Sequence, residues 1–279
     1  MSTSKSLLVV TWDGKSKPLE YVYQDAQRDF DLLIFDHSAK APIEQVQHLQ
    51  PEHYISTRTE NKGQVFYEVY KYLYPNNEER YEYIGVLDDD IYTSYSDLNK
   101  LIFIGKLNGL DIFQPSITHD SFFDHRQFTH KPGYQIQKAN WVEIMFPFYK
   151  ETLYKAAGPY FNETITGQGI DVYLMPAMQQ VHGLTSTAVV HAIQVKHCRP
   201  VQSGDRSYSN GKSNIEEINH IRQLTLELIA KHPNKFDDQF IRTYMDVRYY
   251  KGVSLFKKLK RVKGMLRNIY KELVDLSYR

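Results

Sequence analysis

The chain has 279 residues, of which 42% are hydrophobic, with 34 Lys and Arg set against 33 Asp and Glu. That length allows one large α/β domain or two small ones, and the composition is that of a soluble, core-forming chain, not a disordered one. Near-balanced charge argues against nucleic acid as a partner, the single cysteine, Cys198, excludes an internal disulfide, and no stretch is apolar for long enough to cross a bilayer. The polar start, Met1-Ser-Thr-Ser-Lys-Ser, lacks the apolar core of a signal peptide, so the expected location is the cytoplasm.

Leu7 to Thr11 reads as a short buried strand, followed by Trp12, Asp13 and Gly14, a turn where a nucleotide base or ribose can dock. Trp12 could stack on such a base or simply pack. Asp31 to Asp36 and Tyr54 to Thr57 read as further strands. Arg58 and Lys62 then fall at a strand-to-helix junction, where cations can meet a diphosphate or stand solvated. The apolar spacing of Val65, Val69 and Leu73 predicts a helix over Gln64 to Tyr74, closed by Pro75. Strands alternating with helices point to βαβ units and a parallel sheet.

The next stretch organises the rest. Ile84 to Leu87 is a buried-strand run that ends in three consecutive carboxylates, Asp88, Asp89 and Asp90. Three adjacent anions repel unless a cation or ligand neutralises them. If the strand continues through them, Asp88 and Asp90 share one side and can hold a hard divalent ion against phosphate oxygens. A solvated acidic turn is the plainer alternative. Tyr95 to Asn108 reads as a helix and Asp111 to Pro115 as a strand closed by its proline. Ser116 to Tyr134 reads as a long loop over the site; the spacing of His119, His125 and His130 matches no compact metal motif. In the mostly apolar strand Asn140 to Tyr149, Glu143 must bind something or be paired, because burying it alone is costly. Glu151 to Ala157 reads as a helix ended by Gly158-Pro159.

In Thr166-Gly-Gln-Gly-Ile-Asp-Val the glycines allow a tight turn or a close approach to a ligand. Asp171 then opens a helix, either as a favourable N-terminal charge or as a base aimed at an acceptor hydroxyl. Ser186 to Val201 reads as two short strand segments carrying His191 and His197. His197, with a carboxylate pair, makes a reasonable ligand set for Mn²⁺ or Mg²⁺, and Lys196 and Arg199 could counter a leaving diphosphate. Ser203 to Asn214 has the composition of a flexible lid. Ile215 to Lys231 and Asp237 to Tyr250 read as helices. From Val253 a basic amphipathic helix runs to the end, suited either to an anionic membrane surface or to pairing in a homo-oligomer; its clustered lysines favour the membrane.

Taken in order, Tyr83-Ile-Gly-Val-Leu-Asp-Asp-Asp-Ile, Phe113-Gln-Pro-Ser, Trp141-Val-Glu-Ile-Met-Phe-Pro-Phe, Gly167-Gln-Gly-Ile-Asp and Val195-Lys-His-Cys-Arg-Pro-Val resemble the domain-of-unknown-function 707 family, a group similar to GT-A glycosyltransferases. The resemblance covers roughly Tyr81 to Arg206. It implies an α/β fold of GT-A (Rossmann-like) type, a mostly parallel sheet flanked by helices, over residues 1–214, with C-terminal helices over 215–279. It also implies a nucleotide-sugar donor, a UDP-sugar by preference, and a glycan or lipid-linked glycan acceptor, as in surface polysaccharide synthesis at the inner membrane face. Asp88, Asp90 and His197 take the metal places and Asp171 that of an inverting base. Trp12, Asp13, Arg58, Lys62, Asp88 and Asp89 fall to the donor nucleotide, and Trp141, Glu143, Gly169 and Arg199 to the substrate. Gln168 stands where the family has tryptophan or tyrosine. The rival readings are a nucleotidyltransferase and a non-catalytic glycan- or nucleotide-binding module.

Overall fold

The computed structural model describes residues 5–200 and 206–245. Its chain divides into two compact units, Met1–Lys235 and Phe236–Arg279. The expected basic helix from Val253 lies outside the described residues.

The core of the first unit follows from continuous apolar runs. Strands β1 (Leu7–Trp12), β5 (Tyr83–Leu87) and β7 (Ile112–Ile117) are buried at every position, the pattern of strands covered on both faces. With β2 (Val22–Tyr23), β3 (Asp31–Asp36), β4 (His53–Ser56), β6 (Ile91–Ser94), β8 (Ile136–Lys138), β9 (Phe148–Lys150) and β10 (Thr187–His197) they form one sheet. Its order is β2-β6-β10-β7-β9-β5-β1-β3-β4, with β8 pairing β10 off this path. Pairing is parallel from β5 through β4 and between β10 and β7, and antiparallel where β9 lies between β5 and β7. The sheet is therefore mixed but mostly parallel.

Helices α1 (Lys62–Leu73), α2 (Tyr95–Leu107), α3 (Glu151–Phe161), α4 (Met175–Val181) and α5 (Asn214–Lys231) flank it. The starts of α1, α2 and α5 are capped by side chains: Asn61 accepts from the Lys62 N–H, Ser94 from that of Asp97, and Ser213 with Glu216 makes a reciprocal capping box. The α5 helix, which the sequence reading grouped with the C-terminal extension, belongs to the first unit.

Four expectations need correction. Pro159 does not end its helix; α3 runs on to Phe161, whose ring is fully buried against Phe66 at 5.3 Å. Proline's fixed φ suits helical backbone, and core packing offsets the one lost hydrogen bond. Pro115 does not close β7, because β9 ends at the level of Phe113 and leaves no strand on that side needing a donor. The stretch 140–149 is a strand only from Phe148. The two segments expected in 186–201 are one strand, β10, with a register shift between Val190 and Gln194.

In the second unit, Asp237 caps the turn Asp238–Phe240 by accepting from the Phe240 N–H at 2.7 Å, and the Phe240 ring lies 4.9 Å from Phe236 and 4.5 Å from Tyr244.

Candidate active site

Strand β1 pairs in parallel with β3 on one side and β5 on the other, so the connections leaving the carboxyl ends of β1 and β5 diverge. Such a topological switch point opens a crevice where ligands bind in open α/β sheets. Here the crevice is lined by Trp12, Ser16, Lys17 and Glu20–Val22 from the connection after β1, and by Asp88 and Asp89 after β5.

The strand ends at Leu87, so Asp88–Asp90 form a turn and the alternation of side chains expected there does not apply. Each carboxylate takes its own partner instead. The Lys62 ammonium, largely buried at the start of α1, donates to Asp88 and to the Met145 carbonyl (3.3 Å). Arg199 reaches Asp89 at 3.2 Å. His197 Nε2 lies 3.2 Å from Asp90 Oδ2. Burial pushes the Asp88 carboxyl above its ordinary range, Lys62 opposes this, and the charges of Asp90 and Asp89 add to it. Asp88 is thus held by lysine and not shared with Asp90 and His197. Among the described residues, no group of three or more His, Cys, Asp or Glu converges as a metal site.

The Asp90–His197 pair nevertheless has the chemistry of a cation site. His197 Nδ1 lies 2.8 Å from the Phe122 carbonyl, a contact that places its proton on Nδ1. Nε2 then faces a carboxylate, which requires either a second proton or a cation. Burial pulls the imidazole pKa down, but the hydrogen bond and charge of Asp90 outweigh it and the net shift is upward. Asp90 Oδ1 is buried without a hydrogen-bond partner. A ring fixed through Nδ1 by a carbonyl, with a free carboxylate oxygen beside Nε2, is how metal-binding histidines are held. The fit is to two ligands, Asp90 and His197.

Asp171 lies in a π-helical turn, Ile170–Leu174, entered through Gly167 (φ +77°) and Gly169 (φ +92°). It neighbours the carboxylate turn through consecutive residues: the Ile144 N–H donates to Asp171, while the Met145 carbonyl accepts from the Asp88 N–H at 3.0 Å. Burial drives its carboxyl up to about 6, against donors from Val172, Ile144 and Gly169. Glu143 is buried, its Oε2 lacks a partner, and burial followed by the charges of Asp171 and Asp124 raises its pKa well above the usual range. The Tyr149 hydroxyl, also buried and unpartnered, feels the same Asp171 charge. Burial thus moves Asp171 and Glu143 in the same direction, toward easier protonation.

Other expected site residues are placed as follows. Trp12 is 2% exposed and its indole N–H donates to the Ser16 carbonyl at 3.0 Å, so it floors the crevice as a packed ring. Asp13 Oδ1 accepts from the Lys15 and Ser16 N–H groups and the Ser16 hydroxyl, which brings its pKa to about 2 against the opposing effect of burial. It shapes the turn that borders the crevice. Trp141 is edge-packed against His125 (4.9 Å) and Phe128 (4.8 Å) under the 118–135 loop. Gly169 brings the chain against α5, where an added Cβ would sit 3.1 Å from Ile221. Arg58 lines a different depression, with Gln64, Tyr67 and Lys71. Sequence reasoning missed Ser16, Lys17 and Tyr21. Their signal was the connection of Asp13 to Tyr21 after the first strand, where such sheets present ligand-binding loops.

No family model matches the chain, and no curated protein matches it by sequence. Solved structures do resemble it. S. aureus TarS 1-349 in complex with UDP-GlcNAc superposes with a TM-score of 0.52 at 12% identity, covering 81% of this chain and 66% of that one. A second structure of TarS 1-349 gives 0.53 at 11% identity, covering 86% and 70%. GalNAc-T7 with UDP, GalNAc and Mn²⁺ gives 0.53 at 10% identity, covering 85% and 50%. The chain thus spans about two thirds of the first of these and half of the last. At these identities the likeness is one of fold: the chain has a GT-A-like glycosyltransferase fold.

Proposed function

We propose that the protein transfers a sugar from a nucleotide-sugar donor, a UDP-sugar by preference, to a hydroxyl of a glycan or lipid-linked glycan. The observation that carries this reading is the crevice at the β1/β5 switch point, with Asp88 and Asp89 on one wall and Asp171 linked to their turn through the consecutive residues Ile144 and Met145. Proteins of like fold hold UDP-GlcNAc, or UDP with GalNAc and Mn²⁺.

The nucleotide lies in the crevice against the Ser16–Val22 connection, with Lys17 and Arg199 offering positive charge to the diphosphate. Asp90 and His197 would hold Mn²⁺ or Mg²⁺. When bound, the cation neutralises charge on the leaving diphosphate. Asp88, fixed by Lys62, shapes the turn that presents Asp90. Asp171 takes the proton of the acceptor hydroxyl as its oxygen attacks the anomeric carbon, and direct displacement inverts that centre. Glu143 and Trp141 border the acceptor side, Glu143 orienting acceptor or sugar hydroxyls. Residues 253–279 would bring the enzyme to an anionic membrane surface carrying the acceptor, at the inner face in surface polysaccharide synthesis.

Incubation with Mn²⁺ and a panel of UDP- and GDP-sugars is expected to release nucleoside diphosphate by slow donor hydrolysis. Release of pyrophosphate instead would indicate nucleotidyl transfer, and no turnover with any donor would reduce the protein to a binding module. Removing the chain from Val253 is expected to lower binding to anionic vesicles and spare hydrolysis; an unchanged partition would leave self-association as the tail's role.

A further inference from the structure

Glu217 is the most completely buried carboxylate near the candidate base, at 0% exposure on the inner face of α5. Its Oε1 accepts from the Ile165 N–H (2.9 Å) and the Asn210 amide (2.8 Å). Its Oε2 accepts from the Thr166 N–H (2.7 Å) and the Thr164 hydroxyl (3.0 Å). Burial alone would raise its pKa; these donors outweigh it and hold the group below its ordinary value, so it stays ionised. No neutral side chain has the acceptor capacity to satisfy four donors at once. One turn further along the same face, Ile221 meets the 164–169 loop at its other end, against Gly169. Gly169 in turn donates its N–H to Asp171.

We infer that Glu217 is a positioning residue for Asp171: from α5 its carboxylate pins the Thr164–Gly167 backbone, and with Ile221 it fixes the loop whose last N–H holds the base. The inference rests on reading Asp171 as that base. Asn210 ties the same carboxylate to the turn following residue 206, and Ser209 donates to Glu60 just before α1 (3.2 Å). The loop carrying the base and the segment before Lys62 are thereby braced by one turn. The titratable groups that respond to Asp171's charge are Glu143 and Tyr149, and neither touches Glu217.

The test uses the full chain with Glu217→Gln, which keeps shape but replaces one acceptor oxygen by a donor facing backbone N–H groups. Asp171 is titrated by ¹³C-carboxyl NMR, while UDP affinity and donor turnover are measured in parallel. The expected result is a loss of about tenfold in Asp171 proton affinity, because release from burial, the largest influence on this carboxyl, outweighs the lost Gly169 donor as the loop opens to water. Turnover falls by about tenfold or more with the donor KM held within about twofold. Should Glu217→Gln fail to fold, Thr164→Val removes one of the four contacts without touching the carboxylate and is expected to move the titration the same way. A folded variant whose Asp171 titrates as in the parent overturns the inference. Turnover that survives Asp171→Asn would instead defeat the reading of Asp171 as base, whatever Glu217 does to its titration.

Discussion

At the scale of single residues, the site is governed by how burial and partners divide among its carboxylates. Asp171 has few partners beyond backbone N–H groups and is pushed up to about 6; Glu217 has four donors and stays low. A base must be deprotonated to act, so turnover is expected to rise with pH, reach half its limit near pH 6 and level off above it. A pH–kcat profile flat between pH 5 and 8 would count against Asp171. Linkage runs the other way. A carboxyl whose folded pKa exceeds its unfolded value destabilises the fold as pH rises from about 4 through 6. Asp171→Asn is therefore expected to lower turnover by about 10²–10⁴-fold while stabilising the protein by about 1–3 kcal/mol at pH 8. Urea unfolding at pH 5 and pH 8 checks this, the gain being larger at pH 8. At the other end of the crevice, His197→Ala is expected to weaken Mn²⁺-dependent UDP binding by about 10–100-fold. Calorimetry with and without Mn²⁺ decides it, since metal-free UDP binding should be spared.

At the scale of elements, α1 serves both ends of the site. Its first residue, Lys62, fixes Asp88, and its second, Gly63, meets the base loop backbone to backbone, donating to the Ile165 carbonyl at 2.9 Å. A Cβ at Gly63 would stand 2.1 Å from the Thr164 carbonyl oxygen and 2.8 Å from the Gly167 nitrogen. Backbone atoms on both sides cannot yield as a flexible side chain would. Gly63→Ala is thus expected to cost about 1–3 kcal/mol by overpacking and to lower turnover by shifting Asp171. Thermal denaturation and donor hydrolysis measure the two effects; a fully stable, active variant would show the helix can move away. The cysteine-bearing end of β10 is coupled in the same manner: the Cys198 N–H donates to the Asp90 carbonyl at 2.9 Å, and Ile91 pairs with His197. The Asp90–His197 contact is thereby a product of sheet register.

At the scale of the whole molecule, the division at Lys235 has a testable consequence. A chain ending at Lys235 keeps the sheet, its flanking helices and every residue of the candidate site within one unit. It is expected to unfold in a single cooperative transition and to bind UDP as the full chain does. A loss of cooperativity or of UDP binding would show that residues beyond 235 support the site.

Much of this architecture was legible in the residues. The short, continuous apolar runs Leu7–Thr11, Asp31–Asp36 and Ile84–Leu87 have the length and β-branched content of strands covered on both faces, and the apolar spacing after Asn61 and Ser94 has the 3.6-residue period of helices packed on a core. The acidic turn at Asp88–Asp90 announced a need for positive charge for the same elementary reason, mutual repulsion. What met that need was not legible. Lys62 and Arg199 lie 26 and 110 residues away along the chain from their partners, and Glu217 lies more than 50 residues from the loop groups it binds. Local pattern carries no information on such distances; only the closing of the sheet around β1, β5 and β10 decides which charges meet, which proline is tolerated, and which carboxylate oxygen is left buried without a partner.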